Sequence, residues 1–216
     1  MGYSIRPEVK KMLGHDIIVI GASAGGVQAL TKLASGLPRN LPAAVFVVLH
    51  IAPQAASVLP IILSRAGPLP AAHPFDGEAI EHGRIYIAPP DWHLQLKPGR
   101  IHLTQGAKEN YLRPAADPLF RSAAQAYGPR VVGVVLSGNL HDGTAGLQAV
   151  KGKGGVTVCQ NPAEALYSGM PRSACENVEV DWVLPVSEIA AVLARLASEP
   201  VEEEEEGLPS YRLKAS

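Results

Sequence analysis

Short, continuous apolar runs alternate along this chain with segments whose apolar residues recur at helical spacing. The first run, about Asp16 to Gly21, is β-branched and uninterrupted, which predicts a strand buried on both faces. From Gly25 onward, Val27, Leu30, Leu33 and Ala34 fall on one helical face, and Gly36 with Pro38 ends that helix. Ala44 to Leu49 predicts a second buried strand that stops at His50, and Pro53 opens a further helical segment through Arg65. The middle differs. Arg84 to Ile87, His93 to Lys97 and Arg100 to Thr104 are short runs separated by Pro-Pro-Asp and Pro-Gly, which is hairpin chemistry and predicts a small antiparallel annex. Alternation then resumes with a helix (about Asp117 to Tyr127), a strand (Val131 to Ser137), a helix (about Thr144 to Gly152) and a strand (Val156 to Gln160). A last strand near Trp182 to Leu184 precedes a helix from Ser187, read as its N-cap, to about Ser198.

This pattern predicts an α/β fold: a doubly wound, mostly parallel sheet with helices on both faces and a small antiparallel hairpin annex. Right-handed crossovers then align the strand-exit loops along one edge. Three stretches follow: an extension over 1–13, a catalytic-type domain over 14–198, and an acidic tail over 199–216. The five consecutive glutamates after Val201 predict a flexible tail.

Composition narrows the classes. With 216 residues and 47% hydrophobic content, one core is expected. Lys plus Arg number 19 against 20 Asp plus Glu, and no basic stripe stands out, so nucleic acid is not expected as a partner. The start lacks a signal-peptide run. The stretch from Ala43 to Leu63 is interrupted by His50, Pro53, Gln54 and Pro60, so no membrane insertion is expected and the chain reads as cytoplasmic. Cys159 and Cys175, the two cysteines, lack a metal-ligand pattern and read as idle thiols.

The chemistry gathers at strand exits. A dinucleotide fingerprint needs glycine at the middle position of the first turn and an acid after the second strand. Here Gly21-Ala-Ser-Ala-Gly-Gly26 places Ser23 at the middle position, and His50 stands where the acid would be. Adjacent parallel strands lie about 5 Å apart, so a hydroxyl and an imidazole can meet over the sheet edge. A carboxylate must then orient the imidazole. Asp142, in the exit loop of the Val131 strand, is that candidate, its other reading being an N-cap of the Thr144 helix. His141 is the rival base.

Six colinear segments carry a specific resemblance: Ile20-Gly-Ala-Ser-Ala-Gly-Gly26, Val48-Leu-His-Ile-Ala-Pro53, Ile85-Tyr-Ile-Ala-Pro89, Arg113-Pro-Ala-Ala-Asp-Pro-Leu-Phe120, Leu136-Ser-Gly-Asn-Leu-His-Asp-Gly143 and Gln160-Asn161 through Gly169-Met-Pro-Arg172. Together they resemble the CheB protein-glutamate methylesterase catalytic domain across nearly all of 14–198. The resemblance implies hydrolysis of glutamyl methyl esters on the cytoplasmic helices of methylated chemotaxis receptors, with glutamine deamidation as a second activity. It maps the catalytic set onto Ser23, His50 and Asp142. Backbone donors at Ala24, Gly25, Gly26 and Asn139 are expected near the oxyanion, and Arg113, Arg121 and Arg172 as contacts for an acidic receptor face. No metal or organic cofactor is expected. Two departures stand out. Ala24 replaces the family's usual threonine, and Asn139-Leu140-His141 replaces Met-Gly-Asn; Leu140 is expected to reshape that loop, because glycine reaches angles leucine avoids. No receiver domain is read before residue 14, so its phospho-aspartate switch is not expected in this chain. The alternatives are a CheB-like binding module without catalysis and an esterase with a non-receptor substrate.

Overall fold

Six consecutive buried residues in each of Ile17–Ala22 (β1) and Ala44–Leu49 (β2) require cover on both faces, and both strands lie inside one seven-stranded parallel sheet. The computed structural model describes residues 14–201 apart from positions 53 and 55; the extension over 1–13, the glutamate run and Pro53 lie outside the described residues. The remaining elements are Leu59–Ala66 (α2), Ala71–Ala72 (β3), Ile85–Ile87 (β4), His93–Lys97 (β5), Arg100–Thr104 (β6), Ala116–Tyr127 (α3), Val131–Val135 (β7), Thr144–Gly152 (α4), Val156–Gln160 (β8), Gly169–Asn177 (α5), Trp182–Leu184 (β9) and Val186–Ser198 (α6), with Gly26–Gly36 (α1) after β1. The large sheet runs β3-β4-β2-β1-β7-β8-β9, and β5 pairs with β6 alone.

That order decides where a site can form. From β1 the chain moves through α1 to β2 on one side; from β7 it moves through α4 to β8 on the other. α1 packs in the cluster with α2 and α6, whereas α3, α4 and α5 pack on the opposite face with β5 and β6. Between β1 and β7 the two connections therefore leave in opposite directions, opening a crevice at the carboxyl ends of the strands. Ser23, Ser137 and Asp142 all follow these two strands.

Several expectations need correction. Ile85–Ile87 belongs to the main sheet, pairing in parallel with β2 and β3; its unbroken burial is the mark of an interior parallel strand, and only β5 and β6 form the antiparallel annex. Val27 is exposed, because the buried face of α1 is Gly26, Ala29, Leu30, Leu33 and Ala34. The second helix begins at Leu59, well after Pro53. Ser187 is no N-cap: Pro185 holds that position, with no side-chain cap. Among the described strands and α-helices, two carry no signal in the sequence pattern. β3 is two alanines, and α5 starts Gly-Met-Pro, a composition that hides a helix although proline is tolerated in a first turn.

Candidate active site

The turn that carries Ser23 is built from close backbone approach. Gly25 has a φ of 72°, a conformation that glycine reaches without strain. A Cβ there would also stand 2.7 Å from Ser137 Oγ and 3.1 Å from Leu166 Cβ. The Ser23 N–H donates to the Ser137 carbonyl at 2.9 Å, tying the β1 exit to the β7 exit. Ser137, almost fully buried, tightens the tie: its hydroxyl donates to the Ala24 carbonyl at 2.8 Å and accepts from the Tyr167 N–H at 3.0 Å. Sequence reasoning gave Ser137 no role, and a serine in an apolar strand exit carries no signal by itself. Gly25→Ala is expected to lower stability by at least about 1 kcal/mol through the left-handed backbone alone, with further loss from the overlap at Ser137. A fall in the urea midpoint at unchanged slope checks it.

His50 is one step beyond the registered pair Ala22 and Leu49, so it stands beside Ser23 on the neighbouring strand, and its N–H donates to the Ala22 carbonyl at 3.1 Å. Its Nε2 meets Asp142 Oδ2 at 2.7 Å, with both side chains nearly buried. Nδ1 is therefore the ring nitrogen left for another partner. The Ser23 hydroxyl makes no hydrogen bond to protein among the described residues.

Asp142 caps a helix, but a different one from that expected. Helix α3 begins after Ala115 with no cap of its own, and Asp142 Oδ2 accepts the Ala116 N–H at 2.6 Å. The exchange is reciprocal. Asp117, in the first turn of α3, accepts the N–H groups of Gly143 and Gly146 at 3.0 and 2.6 Å and so caps α4. Each carboxylate answers unpaired donors and a positive dipole end. Burial alone would raise the Asp142 carboxyl; the hydrogen bonds from His50, Ala116 and Asn110 overcome it and hold the group below the usual range. Burial pushes Asp117 the other way, and the Asp142 charge adds to that rise against the opposing Gly146 N–H. Asn110 Nδ2 touches both carboxylates. Neither Asp117 nor Asn110 was read as part of the site, since their contacts cross from one loop to another.

The other candidates divide. The Gly26 N–H is committed to the Ser23 carbonyl at 2.8 Å and cannot also face an oxyanion. The N–H groups of Ala24, Gly25 and Asn139 have no protein acceptor among the described residues. Arg113 is not free for an acidic surface: it grips Asp91 and the carbonyls of Gln105 and Gly106. Arg121 is likewise paired with Glu109. Arg172 is exposed on α5. His141 is exposed and outside the His50–Asp142 pair. A cleft of about 300 Å³ lined by His50, Ile51, Ala52, Lys108, Tyr111, Leu112 and Arg113 opens beside the imidazole. A larger one of about 480 Å³, between the hairpin and α3, is remote from this chemistry. Cys159 and Cys175 are free thiols in contact at 3.5 Å, and burial, with Cys175 beside it, pushes the Cys159 thiol up. Among the described residues no cluster of three or more His, Cys, Asp or Glu could hold a metal ion, and no helix is long and apolar enough to cross a membrane.

Leu140 takes the left-handed backbone itself, with a φ of 64° and its side chain 69% exposed. Exposure leaves little packing to offset a strain of roughly 1–2 kcal/mol. Leu140→Gly is expected to raise Tm by about 1–4 °C in a chain of this size; calorimetry checks it.

A serine, an imidazole and a buried carboxylate at three exits around a topological switch point are the parts needed for acyl transfer. The CheB methylesterase family model matches residues 18–193. The chain belongs to the CheB methylesterase family. Among its relatives, the protein-glutamate methylesterase/protein-glutamine glutaminase 2 of Anaeromyxobacter dehalogenans is 40% identical over 181 residues, covering 84% of this chain and 53% of the relative. The protein-glutamate methylesterase/protein-glutamine glutaminase of Pyrococcus abyssi is 34% identical over 195 residues, 88% of this chain and 52% of that one. The chain thus spans about half the length of these curated relatives. A putative protein-glutamate methylesterase/protein-glutamine glutaminase of Leptospira interrogans, 33% identical over 192 residues, is matched over its whole length. The crystal structure of the Thermotoga maritima CheB methylesterase catalytic domain superposes with a TM-score of 0.81 at 36% identity, covering 84% of this chain and 98% of that one. The family's fold is the fold described above.

Proposed function

We propose that this protein is a serine hydrolase that removes methyl groups from glutamyl methyl esters on the cytoplasmic helices of chemotaxis receptors, acting in the cytoplasm. Ser23 Oγ attacks the ester carbonyl while His50 Nδ1 takes its proton. Asp142, held on Nε2, keeps the ring in that tautomer and stabilises the imidazolium. The oxyanion sits against the N–H groups of Ala24, Gly25 and Asn139, worth about 10²–10³ in turnover for each well-aimed donor. Collapse expels methanol, which takes the proton back from Nδ1, and water then resolves the glutamyl-serine ester by the same route. A glutamine side chain forms the same type of tetrahedral intermediate and loses ammonia, so deamidation is the second activity.

The single observation that carries this reading is the 2.7 Å contact between His50 Nε2 and Asp142 Oδ2, which engages one ring nitrogen and leaves Nδ1 as the one available to act as a base. The names of the relatives support the substrate class. The test is methanol release from methylated receptor fragments, run beside a small methyl ester. Release from both supports the reading. Release from the small ester alone points to a non-receptor substrate, and release from neither points to a binding module.

A further inference from the structure

Glu109 to Leu112 is a tight turn in which the two end residues exchange both backbone hydrogen bonds, at 3.1 and 2.8 Å. Its central residues, Asn110 and Tyr111, are left-handed, with φ values of 51° and 65°. This is the mirror-image turn of tight hairpins, where asparagine is favoured at the first central position. The turn accounts for the backbone of Asn110 but not for its side chain. Nδ2 donates to Asp117 Oδ2 and to Asp142 Oδ1, both at 2.9 Å, and so bridges two buried carboxylates. The other oxygens already have donors: His50 and Ala116 on Asp142 Oδ2, and Gly143 and Gly146 on Asp117 Oδ1. All four oxygens therefore face N–H groups, as two ionised carboxylates would require.

We propose that Asn110 is a positioning residue for the Asp142–His50 pair, its carboxamide holding Asp142 and Asp117 side by side so that Asp142 presents a fixed oxygen to His50. The inference rests on the catalytic reading above. Other ionisable groups bear on the pair from outside the shared edge. His50 approaches Asp142 from the β2 exit, and Arg121, itself bound to Glu109, lowers Asp117 from farther along α3. The donor common to both carboxylates is Asn110. Without it, two like charges in a buried site hold a proton more readily, and a protonated Asp142 no longer supports the imidazolium.

Two variants separate this role from that of a turn residue. Asn110→Gly keeps the left-handed turn without steric cost and removes the carboxamide; Asn110→Asp keeps the size and brings a third carboxylate. Two readouts are taken for each: the pH profile of kcat/KM for methyl-ester hydrolysis, and the titration of the Asp142 carboxyl by carbon-13 NMR, which needs no turnover. In Asn110→Gly the carboxyl titration should move up by about one pH unit, lowering kcat/KM about tenfold at the acidic end, where Asp142 is protonated, and less at high pH. In Asn110→Asp the move should be larger. If Asn110→Gly loses thermal stability while the carboxyl titration and the acidic-end rate stay at their wild-type values, the residue serves only the turn and the proposal is overturned. If the wild-type protein releases no methanol while the Asp142 titration still moves in Asn110→Gly, the esterase reading fails and the carboxylate bridge stands.

Discussion

Ser23→Ala is expected to lower kcat/KM for methyl-ester hydrolysis by about 10⁴-fold or more while leaving the fold intact. The two halves of that expectation have separate causes. Activity falls because, in the mechanism proposed, the hydroxyl is the atom that forms the acyl-enzyme, and the remaining donors can only polarise an ester toward water. Stability holds because the Ser23 hydroxyl makes no hydrogen bond to protein among the described residues, and its backbone tie to Ser137 survives in alanine; a change within about 0.5 kcal/mol is expected. The double variant Ser23→Ala with His50→Ala should be little worse than either single change, because nucleophile and base act as one unit. Steady-state methanol release with urea unfolding of the same preparations checks both halves.

Asp142→Asn should be damaged twice. A carboxamide facing His50 Nε2 through its NH₂ forces the ring proton onto Nδ1, the wrong tautomer for a base, and a loss of about 10⁴-fold in kcat is expected. Each carboxylate oxygen also faces donors, His50 and Ala116 on one and Asn110 and Asp117 on the other. Either orientation of an amide sets its NH₂ against them, at a cost of about 1–3 kcal/mol. The stability loss should depend on pH. The folded Asp142 carboxyl lies below its ordinary value, so its contribution is fully present above about pH 4 and disappears as pH falls through the lower folded value. Wild type and variant should therefore converge in stability on acidification. Asp117, raised by burial, works in the opposite sense and flattens the wild-type curve near pH 4. Denaturant midpoints at pH 7, 5 and 3 check the convergence.

The parts legible in the sequence were those with a local signature. β2, α4, β8 and β9 match their expected bounds, because each is a short, mainly apolar, β-branched-rich run or a clean helical stripe with a turn-forming residue close after it. β4 was misassigned since three residues beside a hairpin look like a third hairpin strand, whereas parallel pairing with Val45–Val47 depends on a partner 40 residues away. Ser23, His50 and Asp142 could be nominated because each follows a strand, and parallel strands bring their exits together. The capping exchange between Asp142 and Asp117 could not. Its donors, Ala116, Gly143 and Gly146, are backbone groups of helices whose approach is set by packing, so no residue type announces it. The Gly26 N–H shows the same limit from the other side: its place in a glycine-rich turn suggested a donor to the oxyanion, but the turn closes that bond on itself.

The most direct test of the account is labelling by a fluorophosphonate, which reacts with a serine only when a base activates it. Tryptic mass mapping of the wild-type protein should find the adduct on Ser23 and nowhere else. The adduct should be absent in His50→Ala and strongly slowed in Asp142→Asn. A wild-type protein that stays unlabelled, or one labelled equally well without His50, would contradict the assignment of Ser23 as a nucleophile activated by His50.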